Sequence, residues 1–323
     1  MRVCFVSHSA RRYGAELALL ELLQGLKERG VECLVLVPRR GPLLGELDRL
    51  GVEWRILNYW WWLKSRRLWL PHRILRMLLS LIPAIRMAAL LRRWRCDVVY
   101  TNTIAIPAGA LAAWLARKPH VWHLHESAFR DSALKFDPGT RLALRLIDRL
   151  SIWVIVVSDA LRKEYMRSID PGKLRRIYQS VSLPDVIGEQ TGSAVTRTHF
   201  QCAMIGSLEP RKGQAEAIEA LSRLVRRGVD VRLQLVGGDE KCFRDELQKQ
   251  VVRHGMETRV EFTGYVNDPA RLIGAADAIL MCSRWEAFGR VTVASMLAEK
   301  PVIAMADSGA TAELIQDGVT GLL

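Results

Sequence analysis

The chain has 323 residues, half of them hydrophobic and a quarter charged, a length and composition that predict two globular domains and exclude a disordered, collagenous or small disulfide-stapled protein. The formal charge of +13 is unevenly placed: residues 1–185 hold 31 basic against 16 acidic side chains, and residues 186–323 hold 16 against 18. Residues 54–96, from Trp54 to Cys96, carry ten basic side chains, no acidic one and six of the ten tryptophans, so the basicity is local and points to nucleic acid, an anionic membrane surface or a phosphorylated substrate.

In chain order, residues 3–6 read as a strand, and Leu19, Leu23 and Leu26 as one face of a helix that ends at Gly30. Strands are predicted at 34–37, 98–100, 121–124 and 153–157, separated by helical patterns that include a run over 74–94. Residues 183–198 are polar, contain Pro and Gly and keep no period, which makes them the expected linker between domains 1–185 and 186–323. The alternation resumes with strands at 203–205, 233–236, 260–262, 278–281 and 302–304, and with helices from Gly213 and over 291–298. Such alternation predicts α/β domains with doubly wound parallel sheets. Their ligands sit beyond the carboxyl ends of the strands. Gly321-Leu322-Leu323 stops where a strand is expected to begin, so the second domain is expected to be incomplete.

The six cysteines, Cys4, Cys33, Cys96, Cys202, Cys242 and Cys282, show no CxxC or metal spacing, and buried reduced thiols in a cytoplasmic protein are expected. No signal peptide is expected after Met1-Arg2. The longest apolar stretch, 77–91, is interrupted by Pro83 and Arg86 and is too short to span a bilayer.

Neither a P-loop nor a GxGxxG fingerprint is present. The chemistry-bearing residues lie instead in strand-end loops. The loop from Gly206 through Ser207 and Arg211 to Gly213 sets Arg211 and Lys212 at the start of a helix, either as solvated surface cations or as a diphosphate site. Gly237-Gly238 ends the next strand and permits close approach of a backbone or a nucleotide. In Ser283-Arg284-Trp285-Glu286-Ala287-Phe288-Gly289-Arg290 a carboxylate precedes the amides of a helix start, a cap or a holder of sugar hydroxyls and phosphate oxygens. In the first domain Gly14 and Glu16 follow the first strand, Asn102 ends another, and His123-Leu124-His125-Glu126 ends a third. His123 and His125 are expected to face opposite ways, so that one of them is structural and a zinc pair is disfavoured.

Taken together, GAE at 14–16, HLHE at 123–126, VVSDALRKEY at 156–165, GSLEPRKGQ, LVGG, FTGYV at 262–266, AADAIL at 275–280, SRWEAFGRV and AELIQDGVTG at 312–321 resemble the family 4 glycosyltransferases over nearly the whole chain. The resemblance implies a GT-B fold, two Rossmann-like domains facing a cleft, and a retaining transferase that needs neither metal nor cofactor. It implies a UDP- or GDP-sugar donor bound mainly by the second domain and a glycolipid or glycan acceptor bound mainly by the first. By this resemblance Glu286 contacts donor-sugar hydroxyls, the amides of Phe288 and Gly289 hold sugar and diphosphate, Lys212 neutralises the diphosphate, and Tyr265 and Val266 lie against the base. Gly14 admits the donor phosphates, and His125 sits over the reacting sugar. The remaining strand-end residues divide the same way: Gly206, Ser207, Arg211 and Gly237 fall on the donor side, and Glu16, Asn102 and Glu126 on the acceptor side.

Two positions depart from the family pattern. Eight residues after Glu286, where the family carries a ribose-gripping Glu, stands Ala294, and Ser207 stands where many relatives carry Arg. Losing one charged hydrogen bond costs about 1.5–3 kcal/mol, so weak donor binding is expected, and a degenerate nucleotide-sugar-binding protein without turnover is the alternative to an enzyme. The segment 54–96, with Tyr59-Trp60-Trp61-Trp62, Trp69, Lys64, Arg66, Arg67, Arg73 and Arg76, is suited to an anionic membrane interface on the cytoplasmic face, or to a tryptophan loop packed on its own domain. No nucleic-acid recognition motif accompanies the charge, so nucleic acid is not an expected partner.

Overall fold

The computed structural model describes residues 1–63, 79–130, 134–183, 198–239 and 242–323. The chain divides into two compact units, Met1–Ser180 and Val181–Leu323. The expected linker and the boundary at 185 fall almost wholly outside the described residues, as do Lys64, Arg66, Arg67, Trp69, Arg73 and Arg76.

In the first unit the elements run β1 (Arg2–Ser7), α1 (Gly14–Glu28), β2 (Glu32–Val37), α2 (Leu43–Arg49), β3 (Glu53–Ile56), α3 (Leu81–Arg93), β4 (Val98–Asn102), α4 (Ala108–Ala116), β5 (His120–Leu124), α5 (Thr140–Leu150), β6 (Trp153–Val156), α6 (Asp159–Tyr165) and β7 (Leu174–Arg176). The seven strands are all parallel in the order β3-β2-β1-β4-β5-β6-β7. Because helices cover both faces, the central strands are apolar on both sides. Cys4 and Val6 of β1 pack with Met87 and Leu91 of α3 and Ala112 and Ala113 of α4, while Val3 and Phe5 pack with Leu19 and Leu23 of α1 and Leu43 and Leu47 of α2. This is the period-2 alternation of a strand read into two separate cores.

The second unit runs β8 (Phe200–Ile205), α7 (Gln214–Arg226), β9 (Val231–Val236), α8 (Arg244–Arg253), β10 (Val260–Gly264), α9 (Ala270–Ala275), β11 (Ala278–Met281), α10 (Arg290–Leu297), β12 (Val302–Ala304) and α11 (Ala310–Leu314). Its parallel sheet has the order β10-β9-β8-β11-β12. Cys202 and Met204 face α7 and α8 through Ile218, Leu221 and Leu247. Ala203 faces the other core, with Ile273 of α9, Ala294 of α10 and Ala298 at the C-cap of α10. In each sheet the strand order reverses once, between β1 and β4 and between β8 and β11. At such a point the loops diverge to opposite faces and leave a crevice at the carboxyl ends.

Every predicted strand is present, and the helix from Gly213 becomes α7. Two edge strands, β3 and β7, add to the prediction. The aromatic run divides: Tyr59 and Trp62 are buried, and Trp60 and Trp61 are 45% and 41% exposed. Trp62 donates from Nε1 to the Ile104 carbonyl at 2.7 Å and stacks on Trp122, with ring centroids 5.7 Å apart. The loop is thus packed on its own unit at three of its four aromatic positions, since Trp61 donates from Nε1 to the His8 carbonyl at 3.1 Å and its ring centroid lies 5.5 Å from that of His8. On α3, Leu81, Ile82 and Ile85 are exposed together with Arg86, Arg92 and Arg93. Among the described residues no helix is long and apolar enough to cross a membrane.

Candidate functional site

In the second unit the residues picked out by sequence gather at the reversal between β8 and β11. Gly206 leaves β8 with its amide on the Val236 carbonyl, 2.8 Å away. A Cβ on Gly237 would stand 1.9 Å from the Gly206 carbonyl oxygen, so the close approach that glycine permits here is that of the protein's own neighbouring loop. The chain then makes a short turn at Pro210–Lys212 and enters α7 through Gly213, whose φ is +78°. A Cβ on Gly213 would lie 2.1 Å from the Cys282 carbonyl oxygen at the end of β11. The Arg284 amide donates to the Arg211 carbonyl at 3.0 Å, and the Glu286 backbone pairs with the 308–310 loop through Glu286 N to Ser308 O at 2.8 Å and Ala310 N to Glu286 O at 3.0 Å.

These backbone ties bring Lys212 and Glu286 together. Lys212 Nζ lies 2.5 Å from Glu286 Oε1, with the two side chains 17% and 14% exposed. Burial favours the neutral carboxyl of Glu286, but Lys212, the Ser283 hydroxyl and Arg211 outweigh it and hold the acid below the ordinary carboxylate range. Glu286 is therefore ionised at neutral pH. Phe288 and Gly289 are buried at the start of α10, with Gly289 at its N-cap, where backbone amides point outward and the helix end is positive.

Ser207 and Arg211 converge on a residue that sequence reading passed over. Glu209 is buried, and its Oε1 accepts from Ser207 Oγ at 2.7 Å and from Arg211 Nη2 at 2.9 Å. Its place two residues from each was a readable signal. Tyr265 follows β10 and is 55% exposed, its Cβ 3.9 Å from where a Gly238 Cβ would stand, with Val266 half-buried after it. Ala294 is buried in an apolar cluster with Ala203, Ile279, Met281 and Ala298.

In the first unit a second group forms at the reversal between β1 and β4. Gly14 is exposed at the first position of α1, and Glu16, one turn in, is fully buried. Ser9 Oγ donates to Glu16 Oε1 at 2.6 Å, the Tyr13 amide donates to Oε2 at 3.3 Å, and His8 Nδ1 lies 3.3 Å away, so this carboxylate shapes the loop. Glu126 joins the ends of β4 and β5: Thr103 Oγ1 donates at 2.7 Å, and the amides of Ile104 and His125 donate at 3.3 and 3.2 Å. Burial pushes the Glu126 acid up, against the opposing pull of His8, Thr103 and those amides. Asn102, at the end of β4, donates from Nδ2 to the Ala15 carbonyl at 2.9 Å and faces His125 Nε2 with Oδ1 at 2.8 Å.

The expected opposition of His123 and His125 is overturned. Positions two apart along a strand return to the same face, and the two ring centroids are 4.0 Å apart. His123 is the inner ring, bonded to Tyr100 Oη at 2.6 Å, and burial lowers it to about 3. Among the described residues no group of three His, Cys, Asp or Glu stands together to hold a metal. Gln179, beyond the unpredicted strand β7, reaches His125 Nδ1 at 2.7 Å. It escaped notice because the strand before it did.

Two doubly wound parallel sheets with these strand-end constellations define an α/β protein of the GT-B type. The chain belongs to glycosyltransferase family 4: the model described as Glycosyltransferase Family 4 matches residues 13–183, and that described as Glycosyl transferases group 1 matches residues 193–323. A phosphatidyl-myo-inositol mannosyltransferase of Mycobacterium leprae (strain TN) is 26% identical over 322 residues, covering 96% of this chain and 79% of that protein. An alpha-D-kanosaminyltransferase of Streptomyces kanamyceticus is 31% identical over 121 residues, 37% of this chain, and the match spans only about a third, 31%, of that relative. The crystal structure of Anabaena HepE in complex with UDP-glucose has a TM-score of 0.78 at 26% identity and covers 100% of this chain and 85% of that one.

Proposed function

We propose that the protein transfers a sugar from a UDP- or GDP-sugar to a hydroxyl of a glycolipid or polysaccharide acceptor, with retention at the anomeric carbon and without a metal. The observation that carries this reading is the ionised Glu286 paired with Lys212 at the strand-order reversal of the second sheet. The Lys212 ammonium, Arg211, the backbone at Gly206 and Ser207 and the amides of Phe288 and Gly289 offset the charge that collects on the diphosphate as its bond to the sugar lengthens. Glu286 accepts hydrogen bonds from the sugar hydroxyls and orients the ring. Tyr265 and Val266 receive the nucleoside, and the complex of HepE with UDP-glucose supports uracil as its base. The acceptor oxygen bonds to the anomeric carbon on the face that the diphosphate leaves, and its proton passes to the departing phosphate oxygen. In the first unit His125 and Gly14 stand at strand ends with Glu16, Asn102 and Glu126, which shape the acceptor side.

For a lipid-borne acceptor, exposed Leu81, Ile82 and Ile85 beside Arg86, Arg92 and Arg93, together with Trp60 and Trp61, support docking on the anionic cytoplasmic face of a membrane. Nucleotide release from a panel of UDP- and GDP-sugars with lipid and glycan acceptors tests the enzymatic reading, and absence of release from every pairing sinks it. Salt-reversible co-sedimentation with anionic but not neutral vesicles tests the membrane reading.

A second reading, a nucleotide-sugar-binding protein without turnover, is favoured by the buried apolar surroundings of Ala294 and by Ser207 serving Glu209. Turnover by the unaltered chain rejects it. Donor binding without turnover, converted to turnover by Ala294→Glu, supports it.

A further inference from the structure

The hydrogen bonds around His125 form a directed chain that starts from a backbone group of known polarity. The Ala15 carbonyl can only accept, so the group that Asn102 turns toward it at 2.9 Å is its NH2. The Asn102 side-chain oxygen therefore faces His125 Nε2 at 2.8 Å, and Nε2 must carry a hydrogen. On the other side of the ring, Gln179 Nε2 lies 2.7 Å from Nδ1, an amide NH2 that donates into a lone pair. An imidazolium would bring two donors face to face there unless the Gln179 amide turned over.

We propose that Asn102 and Gln179 are positioning residues that hold His125 as the neutral Nε2–H tautomer, so that an uncharged ring faces the substrate and takes up no proton during transfer. The ionisable groups around it are His123, whose ring lies against it with Tyr100 behind, and Glu126, which accepts from the His125 backbone amide and is itself drawn down by His8. Both ring nitrogens are engaged, so the acceptor proton must leave by another route, as the transfer to the departing phosphate oxygen already provides. The kinetic part of this inference rests on the transferase reading; the tautomer does not.

The test uses the full chain labelled with 15N-histidine. Long-range 1H–15N spectra between pH 6 and 8 are expected to show His125 with a lone-pair Nδ1 and a protonated Nε2 throughout. In Gln179→Glu the carboxylate can only accept at Nδ1, so His125 should become an imidazolium. If the protein is a transferase, kcat at neutral pH should fall about tenfold, the equivalent of one hydrogen bond, and recover as pH rises, with little change in donor KM. Gln179 is only half-buried, so the variant is expected to fold. Gln179→Met, which keeps the length and loses the donor, should leave Nε2 protonated toward Asn102 and open Nδ1 to a proton, so that imidazolium appears at higher pH than in the unaltered protein. A protonated Nδ1 in the unaltered protein, or His125 signals unmoved by Gln179→Glu, overturns the proposal whether or not any sugar is transferred.

Discussion

Lys212 and Glu286 are each other's neutraliser before they are anything to a ligand. Removing Lys212 strands a mostly buried carboxylate, so Lys212→Ala is expected to cost about 2 kcal/mol or more, and Lys212→Ala/Glu286→Ala less than the sum of the two single changes. Urea denaturation of the four proteins measures this coupling, and additive losses would count against the pair. Arg211 is similarly occupied by Glu209, whose buried carboxylate opposes a diphosphate. Glu209→Gln should therefore tighten UDP binding several-fold, about 1 kcal/mol for freeing the half-exposed Arg211 from an opposing charge; calorimetry that finds weaker binding would reject this account. At this scale, residues that terminate apolar strands were legible in sequence, because the strand announces where its loop begins. The partners of those residues were not. Glu209 reads as one more loop carboxylate, and His123 and His125 share a face because positions two apart along a strand return to the same side.

Elements were legible in proportion to their burial. The inner strands are continuous apolar runs, whereas β3 reads Glu-Trp-Arg-Ile and β7 reads Leu-Arg-Arg, edge strands whose polar side chains face water and leave no apolar run to detect. The loop that joins β8 to α7 depends on Gly213 for both its backbone angle and its clearance from β11. Gly213→Ala is expected to displace Lys212 from Glu286 and abolish tight UDP binding. Gly228→Ala, at a φ of +84° but with nothing within 4 Å of the new Cβ, should cost only the local strain of about 1 kcal/mol. Equal losses of UDP affinity in the two variants would show that clearance between the loops does not matter. Helix α10 explains the departure at 294: its alanine helps fill a core, so Ala294→Glu should lower the thermal midpoint by several degrees, and an unchanged midpoint would mean that the new carboxylate reaches solvent or a polar partner.

For the molecule as a whole, burial lowers both His120 and His123 to about 3. The unfolded chain protonates these rings near pH 6.5 and the folded chain does not, so their contribution is intact above that pH. It is lost as pH falls from there toward about 3, at about 1.4 kcal/mol per pH unit for each ring. Glu126, raised by burial, acts with the opposite sign above the ordinary carboxylate range. Urea midpoints between pH 7.5 and 5 should fall steeply, and His120→Asn should flatten the slope by about one proton; an unchanged slope would refute it. The charge of +13 belongs to the same scale, since it resolves into a near-neutral second unit and a basic first one. The parallel topology has one more consequence. Among the described residues neither sheet contains a hairpin, so no strand can pair until a crossover has been made. Yet each sheet is built from one uninterrupted stretch of chain, and synthesis at 5–20 residues per second leaves the first stretch on the order of ten seconds before the second is finished. The N-terminal sheet can therefore close on the ribosome, before the C-terminal strands exist to compete for its edges.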